Sequence, residues 1–211
     1  MRRAYHFLPA KWAIDVLSNR RLKISTFSDL NDPFEFLNCE MSNKDFKKAI
    51  DETRKEMYRE VGVICFSKDW SNPLLWSHYA DKHKGICLGF EFSDNEPKLS
   101  EVFYIRNKQA LCDELVKAVN RGNGGKEEQI MRKLLLSKYE GWSYEDEVRM
   151  FAKLDEEDKD KDSDGNYNYY GGFSKDIALK QVIIGVRCDK KAEDIKNIEG
   201  HNCVEIIKAR L

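Results

Sequence analysis

The chain has 211 residues, room for one good-sized core, with 41% hydrophobic and 11% aromatic residues, an ordinary globular composition. Lys plus Arg number 36 against 37 Asp plus Glu, a formal net charge of -1, so no long-range field draws nucleic acid or an anionic membrane. No apolar run is long enough to span a bilayer, and Lys11 and Asp15 interrupt the stretch where a signal peptide would need its apolar core, so a cytoplasmic protein is expected.

The chain opens with a short strand at Ala4–Leu8, then an apolar helix from Pro9 to about Ser18-Asn19, then an alternating strand at Leu22–Thr26. Ser28 to Pro33 is rich in turn-formers, and Pro33 pushes Asp32 out of helical geometry. Lys44 to Arg59 repeats Phe46, Ile50, Thr53 and Met57 at helical spacing, with Ser42 or Asn43 as N-cap. Val61–Ser67 reads as a strongly apolar central strand. The helix after it is sharply punctuated: Asn72 as N-cap, Pro73 at the first helical position, and Gly85 as the stop.

Ile86–Phe92 alternates, with Ile86, Leu88, Phe90 and Phe92 on one face, and Cys87 and Gly89 leaving room for a close approach on the other. A strand at Val102–Ile105 precedes two helices, Asn107–Asn120 and Lys126–Tyr139, broken at Gly122–Gly125; Ile130, Met131, Leu134 and Leu135 form the second helix's buried stripe. Glu147–Leu154 is a strand with Val148, Met150, Ala152 and Leu154 facing the core, and Glu145, Glu147 and Arg149 in line on the opposite face. Asp155–Gly165 is expected to be structureless; its Asp160, Asp162 and Asp164 fail as a calcium loop because Gly171 stands where the bidentate Glu belongs. Strands at Tyr167–Phe173, Gln181–Val186 and Cys203–Ile207 complete a sheet of eight or nine. The expected fold is α+β: a single domain over residues 1–211, with a mixed, largely antiparallel sheet flanked by about five helices. The six cysteines, with no Cys-x-x-Cys pair, read as reduced thiols.

Three clusters share an unusual mixture of carboxylates, aromatics and hydrogen-bonding groups: Asn31-Asp32-Pro33-Phe34-Glu35, Trp76-Ser77-His78-Tyr79, and Trp142 through Arg149. Converging on one cavity, they would make a polar pocket with aromatic walls. Each also has a plainer explanation: a fixed turn, a packed Trp beside a structural His, and a cross-strand ion pair. His78 and His83 are five apart, the wrong spacing for a helical metal pair, and no metal site is expected. The candidate catalytic residues are Glu147, supported by Glu145 and Arg149. The candidate ligand contacts are Tyr5, His6, Asn31, Asp32, Glu35, Trp76, His78, Tyr79, Trp142 and Tyr144.

In order, these blocks resemble a widespread bacterial family of unknown function: Tyr5-His6-Phe7, Asn31–Glu35, Cys65-Phe66-Ser67, Trp76-x-His78-Tyr79-Ala80, Gly85-x-Cys87-Leu88, Lys138…Trp142-x-Tyr144-Glu145-x-Glu147-x-Arg149, and Ile183-Ile184-Gly185. The layout is also similar to ADP-ribosyltransferase-like domains. That resemblance implies NAD as ligand, His6 (with Tyr5) and Tyr79 as its contacts, and Glu145 or Glu147 as the carboxylate that orients ribose. The expected function is a small-ligand enzyme, nucleotide- or NAD-like in its partner, performing ADP-ribosyl transfer or NAD glycohydrolysis. The alternative is a non-catalytic ligand-sensing or protein-interaction module, in phage defence or stress response.

Overall fold

A computed structural model describes residues 2–30, 44–93, 99–198 and 204–210. In chain order the elements are β1 (Arg2–Leu8), α1 (Ala10–Asn19), β2 (Arg21–Ile24), α2 (Lys44–Glu60), β3 (Val61–Ser67), α3 (Pro73–Tyr79), β4 (Ile86–Phe92), β5 (Leu99–Glu101), β6 (Phe103–Ile105), α4 (Gln109–Asn120), α5 (Gly124–Leu135), β7 (Ser137–Tyr139), β8 (Glu147–Lys153), β9 (Lys159–Lys161), β10 (Tyr167–Gly172), β11 (Ile177–Ile184), α6 (Ala192–Lys196) and β12 (Glu205–Lys208). The fold is α+β. Its strands divide into three sheets rather than one: seven in the order β12-β11-β4-β1-β3-β8-β5, three as β2-β10-β9, and the pair β6-β7. Within the large sheet only β11 and β12 run parallel.

Side-chain alternation gives that sheet two unlike faces. One carries Ala4, Ile64, Phe66, Leu88, Phe90, Phe92, Val148 and Met150 into the main core, closed by Ala13, Val16 and Leu17 of α1. The other carries Phe7, Cys87 and Ile183, covered by Leu75 and Trp76 of α3. Farther along it, Val63 packs against Phe27, Met57 and Leu135. Gly89 stands where the Tyr5 ring lies over the strand, since an added Cβ would come within 3.1 Å of that ring.

The join between β1 and β3 matters most for function. β1 pairs with β4 along its whole length, Arg2↔Phe92 to Leu8↔Ile86, but meets β3 at the single pair Tyr5↔Ser67. Where the two strands part, the His6 ring fills the gap. Its Nδ1 lies 2.8 Å from the Cys65 carbonyl oxygen, which can only accept, so Nδ1 carries the proton.

Several expectations need correction. α3 ends at Tyr79 rather than at Gly85, because Asp81, Lys82 and His83 take left-handed conformations (φ 43°, 54° and 71°). Gly85 serves close packing instead: a Cβ there would sit 2.2 Å from the Leu8 carbonyl oxygen. The helix expected to reach Tyr139 stops at Leu135 and gives way to β7, which pairs in parallel with β6. Gly124 and Gly125 belong to the first turn of α5, capped by Asn123. Asp155–Gly165 is ordered as a 3-10 turn (Glu156–Asp158) and β9, anchored by Lys11–Asp164 and Arg21–Asp160 ion pairs. Cys65, Cys87 and Cys188 are reduced as expected, whereas Cys112 is disulfide-bonded, a pairing that no local spacing announces. Glu145, expected in line with Glu147 and Arg149, instead ends a 3-10 turn (Glu140–Glu145) that precedes β8. Among the described residues no helix is long and apolar enough to cross a membrane.

Candidate active site

A cavity of about 210 Å³ opens where β1 and β3 separate. Tyr5, His6 and Phe7 of β1 and Cys65, Phe66 and Ser67 of β3 form its floor, and Leu75 and Tyr79 of α3 form one side. Lys138 of β7, Glu145 and Glu147 form a wall that meets Tyr79, with Ser25, Asp29 and Leu30 at the rim.

The acidic wall is built by local folding. Residues Glu140–Glu145 coil into a 3-10 turn ended by Asp146 in the left-handed conformation (φ 42°). That reversal takes Glu145 off the line of β8 and aims it at α3. Asn72 then ties the two elements together. Its Oδ1 caps α3 by accepting from Leu74 N (3.0 Å), and its Nδ2 donates to the Tyr144 carbonyl oxygen (2.9 Å). Lys68 at the end of β3 donates its backbone N–H to the Asp146 carbonyl oxygen (3.0 Å) and pairs with its carboxylate (2.8 Å).

Four buried charges form one connected network. Arg149 grips Glu147 in a two-pronged contact, Nε to Oε1 at 2.6 Å and Nη2 to Oε2 at 3.1 Å. Lys138 Nζ bridges Glu147 Oε2 (3.1 Å) and Glu145 Oε2 (2.5 Å), and the Tyr79 hydroxyl donates to Glu145 Oε1. Arg149 Nη1 donates to the Leu135 carbonyl oxygen at 3.1 Å, which satisfies a carbonyl left open at the end of α5. Two cations thus balance two anions, with every side chain in the network 7% exposed or less, apart from Tyr79 at its end. Such a set is stable only when the hydrogen bonding is this complete.

The two carboxylates are not equivalent. Burial would raise the Glu147 carboxyl, but the Arg149 guanidinium and then Lys138 outweigh it and hold it at about 2. Glu145 is raised, because its burial outweighs the help of Lys138 and Tyr79. Burial also lowers His6, against the opposing pull of its bond to Cys65, so the ring is neutral with the Nε2 lone pair unprotonated.

Of the residues singled out from sequence, Tyr5, His6, Tyr79, Glu145 and Glu147 line the cavity. His78, Trp142 and Tyr144 group just outside it, with ring centroids 5.9–6.2 Å apart and Lys138 Nζ 5.3 Å from the centre of the Trp142 ring. Arg149 stands behind Glu147 with no solvent contact. Trp76 turns away into the core, edge-on to Phe7 and donating Nε1–H to the Trp70 carbonyl oxygen (2.7 Å), so the packed-Trp explanation holds for it. Asn31, Asp32 and Glu35 lie outside the described residues; Leu30, just before them, is on the rim. Lys138 was missed as a site residue. At the end of an amphipathic segment it looks like an ordinary helix-terminal cation, and its flanking Ser137 and Tyr139 were the available hint of a strand.

Residues 75–150 match the model of a family described as a protein of unknown function (DUF2971). The matched span runs from α3 into β8 and includes Tyr79, Lys138, Glu145, Glu147 and Arg149, while Tyr5 and His6 precede it. No curated protein and no solved structure matches the chain.

Proposed function

We propose that the cavity binds a small polar ligand of nucleotide type and acts on its glycosyl bond, as in NAD glycohydrolysis or ADP-ribosyl transfer. The supporting observation is Glu145: a carboxylate on the cavity wall, oriented from one side by Tyr79 and from the other by Lys138. Glu145 is the acting carboxylate in this reading. Glu147, fixed by Arg149, is a support that holds Lys138 in place.

The bond between the ribose anomeric carbon and the nicotinamide nitrogen breaks, and its electron pair leaves with neutral nicotinamide. Glu145 lies against the positive charge that develops on the sugar. Water, or an acceptor hydroxyl, adds to the anomeric carbon, and His6 Nε2 takes the proton it sheds. A second reading, a ligand sensor without turnover, has its own support in the charge network, whose members are all paired within the fold.

Incubation of purified protein with NAD, read as free nicotinamide, tests the choice. Turnover is expected, falling about 100-fold or more in Glu145→Gln. NAD left intact in the presence of candidate acceptors rejects the enzyme. Nucleotide-induced thermal stabilisation without product selects the sensor.

A further inference from the structure

We infer that the cavity takes in an uncharged, hydroxyl-bearing ring, of sugar or polyol type, and leaves any phosphate outside its rim. This inference rests on the proposed nucleotide ligand and assigns which of its parts enters.

Size sets the first limit. About 210 Å³ is below the roughly 300–1,000 Å³ of sites that enclose a whole drug-sized ligand, so a dinucleotide does not fit and one ring with its substituents does. Charge sets the second. Among the described residues the lining carries one cation, Lys138, against the carboxylates of Glu145, Glu147 and Asp29. Lys138 is committed to both buried carboxylates, and the Arg149 guanidinium behind them is committed to Glu147. Asp29 is exposed at the rim, with one oxygen accepting from Thr26 N (3.0 Å). A phosphate would meet the negative charge of Asp29 at the mouth and a wall whose two cations are already balanced by two carboxylates, with desolvation to bear as well.

Hydrogen-bonding polarity sets the third. His6 Nδ1–H is spent on the Cys65 carbonyl, so the ring offers a lone pair at Nε2, and Glu145 across the cavity offers carboxylate oxygens. Both want donors, which sugar hydroxyls supply and a phosphate dianion does not. Phe7, Phe66 and Leu75 provide apolar surface for the C–H faces of such a ring.

Calorimetric titration of the whole chain with the uncharged, reduced form of nicotinamide riboside, its 2′-deoxy analogue, reduced nicotinamide mononucleotide and pyrophosphate tests this. The riboside is expected to bind, the deoxy analogue about tenfold more weakly for the loss of one hydrogen bond, and pyrophosphate neither to bind nor to compete. Asp29→Asn keeps the cap to Thr26, and is expected to tighten the mononucleotide several-fold relative to the riboside. Pyrophosphate displacing the riboside, equal affinity for the deoxy analogue, or no riboside binding at all would each overturn the inference. Riboside binding with NAD left intact sustains it while removing the catalytic reading; NAD turnover inhibited by pyrophosphate does the reverse.

Discussion

Val148 and Arg149 are neighbours on β8 and equally shut off from solvent, but they are buried by opposite means. Val148 faces the apolar core, where contact with Phe66 and Met150 and removal from water suffice, with no directional demand. Arg149 faces the other way and stays buried only because Glu147 and the Leu135 carbonyl accept its hydrogen bonds. One face of the strand tolerates small errors of fit; the other tolerates none, because a missing partner strands a charge. The cavity lies on the demanding face.

The largest effect should come from breaking that contrast directly. Arg149→Met is expected to cost about 3–5 kcal/mol in urea denaturation, since Glu147 loses its main partner, while Arg149→Met with Glu147→Leu should recover most of the loss. Val148→Ala should cost less, about 2 kcal/mol, with no comparable rescue from a single neighbour. Full additivity of the Arg149 and Glu147 changes would mean that the two faces do not differ in kind.

Acid titration sharpens the comparison. Glu147 is held at about 2, below the ordinary carboxylate range, so its contribution is complete above that range and lost as pH falls toward 2. Glu145, raised, works in the opposite sense and gains stability as it protonates. His6, lowered, loses stability as pH falls below its ordinary value, because the unfolded chain takes the proton first. Denaturation at a series of pH values should therefore show a steeper acid loss in the parent than in Glu147→Gln. Identical slopes would mean that the ion pair does not set the carboxyl's affinity for protons. The smallest effect is expected at the surface, where Arg106 pairs with Glu140 but its side chain is 85% exposed: Arg106→Ala should change stability by less than about 0.5 kcal/mol.

Alternation alone made much of this legible. The apolar stripe of β4, the inward row of β8 and the facing of Glu147 with Arg149 all follow from period-two geometry. What it could not show was where the alternation stops. Asp146 takes a left-handed conformation without being glycine, which moves Glu145 out of line. Three consecutive non-glycine residues with positive φ likewise shorten α3, although Gly85 looked like its terminator. The sequence also set Tyr5 and His6 on opposite faces, which is correct for a continuous ladder. Both reach the cavity because the ladder parts beside them.

That parting has a mechanical consequence. The seven strands are two sub-assemblies, four on the β12 side and three on the β5 side, riveted at Tyr5 and Ser67. Besides that rung and the imidazole contact, side chains hold the seam: Phe66 of β3 packs edge-on against Phe90 and Phe92 of β4, and Arg2 of β1 pairs with Glu101 of β5. The slot is thus open in its backbone and closed by its side chains, so its width is set by packing across the seam rather than by the strand ladder.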